Sequence, residues 1–251
     1  MSPAPAMVRT AVLLAAGRGT RLKGMTRTLP KCMIPVHGRT ILERAVEALH
    51  RRAVERLIVV TGHEHESLQA YLKGLNSPLA IEFLHSVDYA STNNIVSLYQ
   101  VGDTVQEDFL LLESDLIFTD ELLWALGGRT AAAVSPLSDW MDGTVLTITD
   151  DNRIDRMYLK NDSRPNRPLF KTINIYSISL DDWRATIYPE LHDAVKDNQV
   201  NLYYEQVFAN AIADGRLEMS AAVLDEGNWR EVDTPEDLQQ AEAWLTRLSH
   251  T

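Results

Sequence analysis

Along the chain, short apolar runs rich in Val, Ile and Leu alternate with segments whose apolar residues recur at helical spacing. "RTAVLLAAG" is followed by the helix-period "TILERAVEALHRR", "RLIVVTG" by "EHESLQAYLKG", and "LAIEFLH" leads on to "NNIVSLYQVG". Strands that read as continuous apolar runs, each separated from the next by a helical pattern, predict βαβ units on a mostly parallel sheet. "DFLLLESD" adds a strand ending in acids, "DELLWALG" a short helix and "TAAAVSP" a further strand. Beyond that the period changes. "GTVLTITDDNRIDRMYL" and "LFKTINIYSISL" alternate apolar and polar positions around turn residues such as Asp151 and Asn152, which predicts antiparallel strands attached to the parallel core. Helices over roughly 180–197 and 202–215 then precede one last strand and a closing helix, whose start is marked by Thr234 as N-cap and Pro235 at the first helical position. The expected architecture is Rossmann-like, a three-layer α/β/α fold with a mixed, mostly parallel central sheet and an appended antiparallel portion. No repeat, low-complexity tract or linker divides residues 1–251, so one domain is expected, with residues 1–8 as a flexible tail.

Composition narrows what such a fold can do. At 251 residues the chain can bury a sizeable core, and no stretch approaches the ~20 apolar residues that cross a bilayer. "MSPAPAMVRT" lacks the basic and apolar regions of a secretory signal, so a cytoplasmic address is expected. A single cysteine, Cys32, excludes an internal disulfide framework and reads as a small packed residue. The net charge of −11 argues against nucleic-acid or anionic-membrane partners, which rest on Lys/Arg patches. Any anionic ligand must therefore be met by local cations, and a homodimer is the working expectation for assembly.

Such cations stand in "AVLLAAGRGTRLKGMTRTLPKCMIPV". A glycine-rich turn after a buried strand brings the backbone close to a ligand, and its free N–H groups form a nest for phosphate oxygens. The spacing fits neither common phosphate loop: a dinucleotide fingerprint needs Gly where Leu22 stands, and a Walker loop needs Gly-Lys-Ser/Thr, which is absent. What remains is Gly17 and Gly19 with the cations Arg21 and Lys31, placed where a triphosphate can lie over the turn. Taken alone, this pattern also admits an ordinary strand and turn with basic residues on the surface.

The stretch "LLAAGRGTRL…LPKCMIPV" resembles the signature of the nucleotidyltransferases that activate sugars and phospho-alcohols, and the resemblance extends from about Arg9 to about Leu245. It implies that Leu14, Ala15, Ala16, Gly17, Gly19 and Thr20 wrap a nucleotide, while Arg21 and Lys31 neutralise the phosphates as pyrophosphate leaves. "FLLLESDLIF" puts Asp115 just past a strand's carboxyl end, and "NWREVDTPEDLQQAE" is similar to the family's closing motif. The resemblance makes Asp115 and Asp233 the two carboxylates for Mg²⁺, an ion that prefers few protein oxygens plus substrate phosphates.

"STNNIVSLY", "MDGTVLTI" and "KTINIYSIS" resemble a subset of the family, the CTP-dependent cytidylyltransferases acting on phosphocholine and on small phosphonates. They imply Asn93 and Asn94 at the base, although Asn93 also suits a helix N-cap. The antiparallel portion then becomes the acceptor-binding part. Lys171 is expected there as the cation for the acceptor's phosphonate or phosphate, with Trp140, Asp142, Tyr203, Tyr204, Glu205 and Trp229 as candidates for an aromatic and acidic box around an amine. At helical spacing such aromatics also suit the core. His63 and His65 lack an evident third ligand and read as loop residues. The reaction implied is transfer of CMP from CTP to a small phosphonate or phosphomonoester. A sugar-1-phosphate nucleotidyltransferase and a catalytically silent nucleotide-sensing subunit are the rival readings, the second disfavoured by the joint presence of Arg21, Lys31, Asp115 and Asp233.

Overall fold

The computed structural model describes residues 7–22 and 24–249. In chain order the strands are β1 (Thr10–Ala15), β2 (Pro35–Val36), β3 (Arg39–Thr40), β4 (Arg56–Thr61), β5 (Ala80–His85), β6 (Phe109–Glu113), β7 (Leu116–Phe118), β8 (Ala131–Pro136), β9 (Val145–Ile148), β10 (Ile154–Tyr158), β11 (Phe170–Ile178), β12 (Ser220–Val223) and β13 (Trp229–Glu231). The helices are α1 (Ile41–Arg51), α2 (His65–Gly74), α3 (Asn94–Tyr99), α4 (Asp120–Trp124), α5 (Leu180–Asp182), α6 (Tyr188–Lys196), α7 (Tyr204–Ala213) and α8 (Pro235–Leu248). A π turn over Trp183–Ile187 joins α5 to α6, so the helical pattern read over 180–197 is interrupted in its first half.

A nine-stranded mixed sheet organises the molecule, with the path β10-β9-β11-β6-β1-β4-β5 and with β8 joining β11 to β12. The run β6-β1-β4-β5 is parallel, and β11 lies antiparallel to β6, β8 and β9. The antiparallel portion is thus continuous with the main sheet through β11, where the sequence pattern suggested an appendage. Side-chain alternation along β1 splits the core into two layers. Val12 and Leu14 pack with Ile95 and Leu98 of α3, Leu191 of α6 and Phe208 of α7. Ala11, Leu13 and Ala15 pack with Leu42 and Val46 of α1, Leu68 and Leu72 of α2 and Leu122 of α4. Helices on both faces of a mixed sheet make the Rossmann-like three-layer architecture that the alternation predicts. Among the described residues, no helix is long and apolar enough to cross a membrane.

Three local differences follow. The expected single last strand is two, because β12 extends the main sheet beside β8 whereas β13 pairs with β7 in a separate two-stranded ladder. Of the segment read as a tail, residues 1–6 lie outside the described residues, while Val8 is only 2% exposed and belongs to the core layer with Leu13. A third apolar cluster, Leu22, Ile34, Val36, Ile41, Ile117, Val232 and Trp244, seats α8 against the segment after the glycine-rich turn.

Candidate active site

The carboxyl ends of β1, β4 and β6 share one edge of the sheet, and there the chain leaves each strand for a turn. The turn after β1 is held in two ways. Gly19 sits at φ 58°, in the left-handed region where a side chain is strained, and a Cβ there would lie 3.0 Å from the Cβ of Lys31. At Gly62, just past β4, a Cβ would lie 2.6 Å from the Ala16 carbonyl oxygen and 2.8 Å from Tyr89, so the two strand ends approach as closely as backbone allows. A Cβ at Gly17 meets nothing within 4 Å.

A cavity of about 420 Å³ opens over this edge. Leu14, Ala16, Gly17, Gly19, Thr20, Arg21, Lys31, Asn93, Asn94, Asp115 and Asp233 all line it, as do Ser97, Glu113, Asn174, Tyr203, Glu205 and Glu231. Ala15 does not line it: one step further along the pleat, its side chain points into the opposite core layer.

Asp115 and Asp233, far apart in sequence, meet through strand pairing. β13 runs antiparallel to β7 with Glu231 opposite Leu116, and the Val232 N–H donates to the Asp115 carbonyl at 2.9 Å. The N-terminus of α8 then fixes Asp233. Thr234 caps the helix by accepting the Asp237 N–H at 3.1 Å, and the Asp237 carboxylate accepts the N–H groups of Thr234 at 2.8 Å and of Asp233 at 3.1 Å. Between the two aspartates lies the Lys31 ammonium, which donates to Asp115 Oδ2 at 2.7 Å and to Asp233 Oδ1, while the Arg21 guanidinium pairs with Asp233 Oδ2 at 2.6 Å. Burial works against the Lys31 charge, but Asp115 and Asp233 outweigh it and its pKa is raised.

Glu231 is the third carboxylate. One oxygen from each of Asp115, Glu231 and Asp233 lies within 4.8 Å of the other two. Burial, followed by the neighbouring Asp115 and Asp233 charges and against the pull of Lys171, lifts the Glu231 carboxyl to about 7. Three converging oxygen donors with mutual repulsion and little solvent are the donor set that a hard divalent cation satisfies. The closing motif contained Glu231 without assigning it a role. Its spacing of two from Asp233 was the available signal, since such residues share a face in extended chain.

Asn93 and Asn94 have structural work as well as a place at the cavity. Asn93 caps α3 by accepting the Asn94 N–H at 2.8 Å. Asn94 donates from Nδ2 to Glu113 at 3.1 Å and accepts the Tyr204 N–H at 3.0 Å, tying α3 to β6 and α7. Burial, then Asp115 and Glu205, raises the Glu113 carboxyl well above the usual range.

A second cavity of about 470 Å³ adjoins the first, and Arg21, Asn174, Tyr203, Glu205, Glu231 and Asp233 line both. Lys171, 2% exposed, lines the second cavity and donates to the Thr172 carbonyl. Glu205 is 5% exposed, its Oε2 has no hydrogen-bond partner, and burial raises its pKa against the pull of its own backbone N–H and of Lys171. Asp142 reaches this cavity too, but accepts Lys160 Nζ at 3.0 Å, and that bond holds its carboxyl below the ordinary range. Asn174 was not anticipated. It occupies the left-handed region at φ 60° where the pairing of β11 slips between Thr172 and Tyr176, and its Oδ1 is buried without a partner.

The aromatic box does not form. Tyr204 is fully buried in the core layer, its ring 5.3 Å from Phe208, because the first turn of α7 turns it inward while Glu205 faces the cavities. Trp229 is likewise buried. Trp140 lines neither cavity: its ring lies tilted, 5.4 Å from that of Trp229, and its indole N–H donates to Glu226. Tyr203 alone of the candidate aromatics lines the site. His63 and His65 bind backbone and hydroxyl partners, Thr26 O and Thr61 Oγ1, each at 2.8 Å, and belong to no metal-type cluster of the described residues.

Residues 11–153 match the model of the MobA-like NTP transferase domain. The chain is 29% identical over 241 residues to the CMP-5'-(3-aminopropyl)phosphonate synthase of Streptomyces rubellomurinus, a match covering 92% of this chain and 38% of that protein. It is 26% identical over 231 residues to the 2-aminoethylphosphonate cytidylyltransferase of Lancefieldella rimae, covering 91% of this chain and 89% of that one. To the bifunctional protein GlmU of Methanococcus maripaludis it is 26% identical over 231 residues, 92% of this chain and 53% of that protein. The chain thus spans about half the length of GlmU and less of the synthase. Among solved structures, the CTP:phosphocholine cytidylyltransferase of Streptococcus pneumoniae shares the fold at TM-score 0.81 and 22% identity, over 95% of this chain and 100% of that one. The inositol-1-phosphate CTP transferase of T. maritima does so at 0.79 and 19%, over 98% of each.

Proposed function

Because the chain belongs to the MobA-like NTP transferase family, we propose that it is a cytidylyltransferase that moves CMP from CTP to a small phosphonate, such as 2-aminoethylphosphonate or a hydroxyalkylphosphonate, with release of pyrophosphate. The observation that carries this reading is the junction of the two cavities at Arg21, Glu231 and Asp233, beside Lys31 and Asp115. One cavity takes the nucleotide over the glycine-rich turn and the other takes the acceptor, so that the α-phosphorus lies where they meet. Asp115, Asp233 and Glu231 would hold Mg²⁺, which would supply charge to the phosphates when bound. Lys31 and Arg21 bring permanent cations to the oxygens that gain charge as pyrophosphate departs. A phosphonate oxygen is ionised at neutral pH, so no general base is required, and the protein's task is positioning plus charge neutralisation.

The acceptor class follows from the second cavity. Choline is a permanent cation without an N–H donor and needs aromatic faces around it. With Tyr204 and Trp229 in the core and Trp140 outside, the cavity lacks such a cage. It offers Lys171 for a phosphonate and the unpartnered oxygens of Glu205 and Asn174 for a group that donates hydrogen bonds. Both relatives named for aminoalkylphosphonates support this choice. The test is pyrophosphate release from CTP and Mg²⁺ across a panel of phosphonates and phosphomonoesters. Higher kcat/KM for 2-aminoethylphosphonate than for phosphocholine is expected, and the reverse order overturns the acceptor assignment.

A further inference from the structure

Behind the glycine-rich turn lies a smaller cavity of about 260 Å³, lined by Arg18, Thr20, Gly24, Thr26, Arg27 and His63. Thr20 is its one residue in common with the nucleotide cavity. Its walls are tied to the turn by hydrogen bonds. The His63 N–H donates to the Ala16 carbonyl at 3.0 Å, its Nε2 donates to the Thr26 carbonyl at 2.8 Å, and the Thr26 hydroxyl donates to the Gly19 carbonyl at 2.9 Å. Arg18 and Arg27 have no ion-pair partner among the described residues, and no carboxylate lines the cavity.

In a chain of net charge −11, two unpaired guanidiniums facing one concave space create a local attraction for an anion. Across Thr20 the nucleotide cavity is mixed in sign, with Arg21 and Lys31 set among Glu113, Asp115, Glu205, Glu231 and Asp233, whereas the smaller cavity carries guanidiniums without acids. We propose that the cavity at Arg18 and Arg27 is an anion site for inorganic pyrophosphate, separate from the nucleotide cavity; the identity of the ligand rests on the nucleotidyl-transfer reading above. A diphosphate suits it because two guanidiniums, Arg18 and Arg27, share a space of about 260 Å³ with Thr20 and His63 and with no carboxylate. Once its bond to the α-phosphorus is broken, pyrophosphate that leaves Arg21 and Lys31 meets a second pair of guanidiniums on the other side of Thr20.

Calorimetric titration with sodium pyrophosphate, without nucleotide, acceptor or divalent cations, tests this in the wild type, Arg27→Gln and the double variant Arg18→Gln/Arg27→Gln. CMP titrated in parallel reports on the larger cavity. Each lost guanidinium is expected to weaken pyrophosphate binding roughly tenfold, with CMP affinity unchanged. Failure of the wild type to bind pyrophosphate, equal affinity in the double variant, or a matching fall in CMP affinity overturns the site. A wild type that binds pyrophosphate through these arginines yet transfers no nucleotidyl group would sink the transfer reading and leave the site standing.

Discussion

The two cavities are built by opposite strategies. The nucleotide side rests on the ends of parallel strands, where one continuous stretch of chain from Leu14 to Lys31 supplies the turn and both cations. The acceptor side is assembled piecemeal, with Lys171 from β11, Glu205 from α7, Asp142 from the loop before β9 and Glu231 from β13. Under the proposed function, a ligand shared by many enzymes falls to local backbone, whereas a ligand particular to one falls to side chains from several elements.

The difference can be broken most severely at the junction. Asp115→Asn or Asp233→Asn is expected to abolish turnover in a pyrophosphate-release assay with little change in melting temperature; substantial residual activity would show that the carboxylates do not act together. Next in size, Lys31→Ala should lower kcat by about 10²–10³, as for loss of one preorganised donor. A loss confined to KM for CTP would make Lys31 a binding residue only. On the other side, Lys171→Met should raise KM for the phosphonate about tenfold while KM for CTP stays near wild type. Equal effects on both substrates would erase the division between cavities.

The smallest expected effect is on stability. Burial holds the Glu205 carboxyl above its ordinary range, so the folded protein keeps that proton more tightly than the unfolded chain does. The associated stability is present below the ordinary carboxylate range and is lost as pH rises through the raised folded value. Glu205→Gln should therefore flatten part of the decline in melting temperature with rising pH, and an unaltered slope would contradict the burial argument.

The same contrast explains what the amino-acid sequence makes legible. Gly17, Gly19, Arg21 and Lys31 are neighbours in sequence, and their geometry is largely that of a turn after a buried strand. The meeting of Asp115 with Asp233 was carried by motif resemblance, because the β13–β7 pairing that causes it has no local signature. On the acceptor side, aromatic composition misled. Tyr204 and Glu205 are adjacent on one helix and face opposite ways, and nothing in their spacing says which face is the core. Ala15 differs from Leu14 and Ala16 by a single step of the pleat, which turns its side chain into the core. Asn174 stayed hidden because the slip that places it lies in the long-range pairing of β11 with β8, which leaves no local mark in the chain.

Gly17 and Gly62 set what can be altered around the nucleotide turn. Position 62 is closed to change, since even one methyl group would force the ends of β1 and β4 apart at the Ala16 carbonyl. Position 17 is open in the folded chain, where a Cβ would meet nothing within 4 Å, and it lines the cavity proposed for the nucleotide. Directed evolution of nucleotide choice thus has a natural starting point at Gly17, where a new side chain meets no neighbour, and a fixed hinge pin at Gly62, where every variant first has to survive folding.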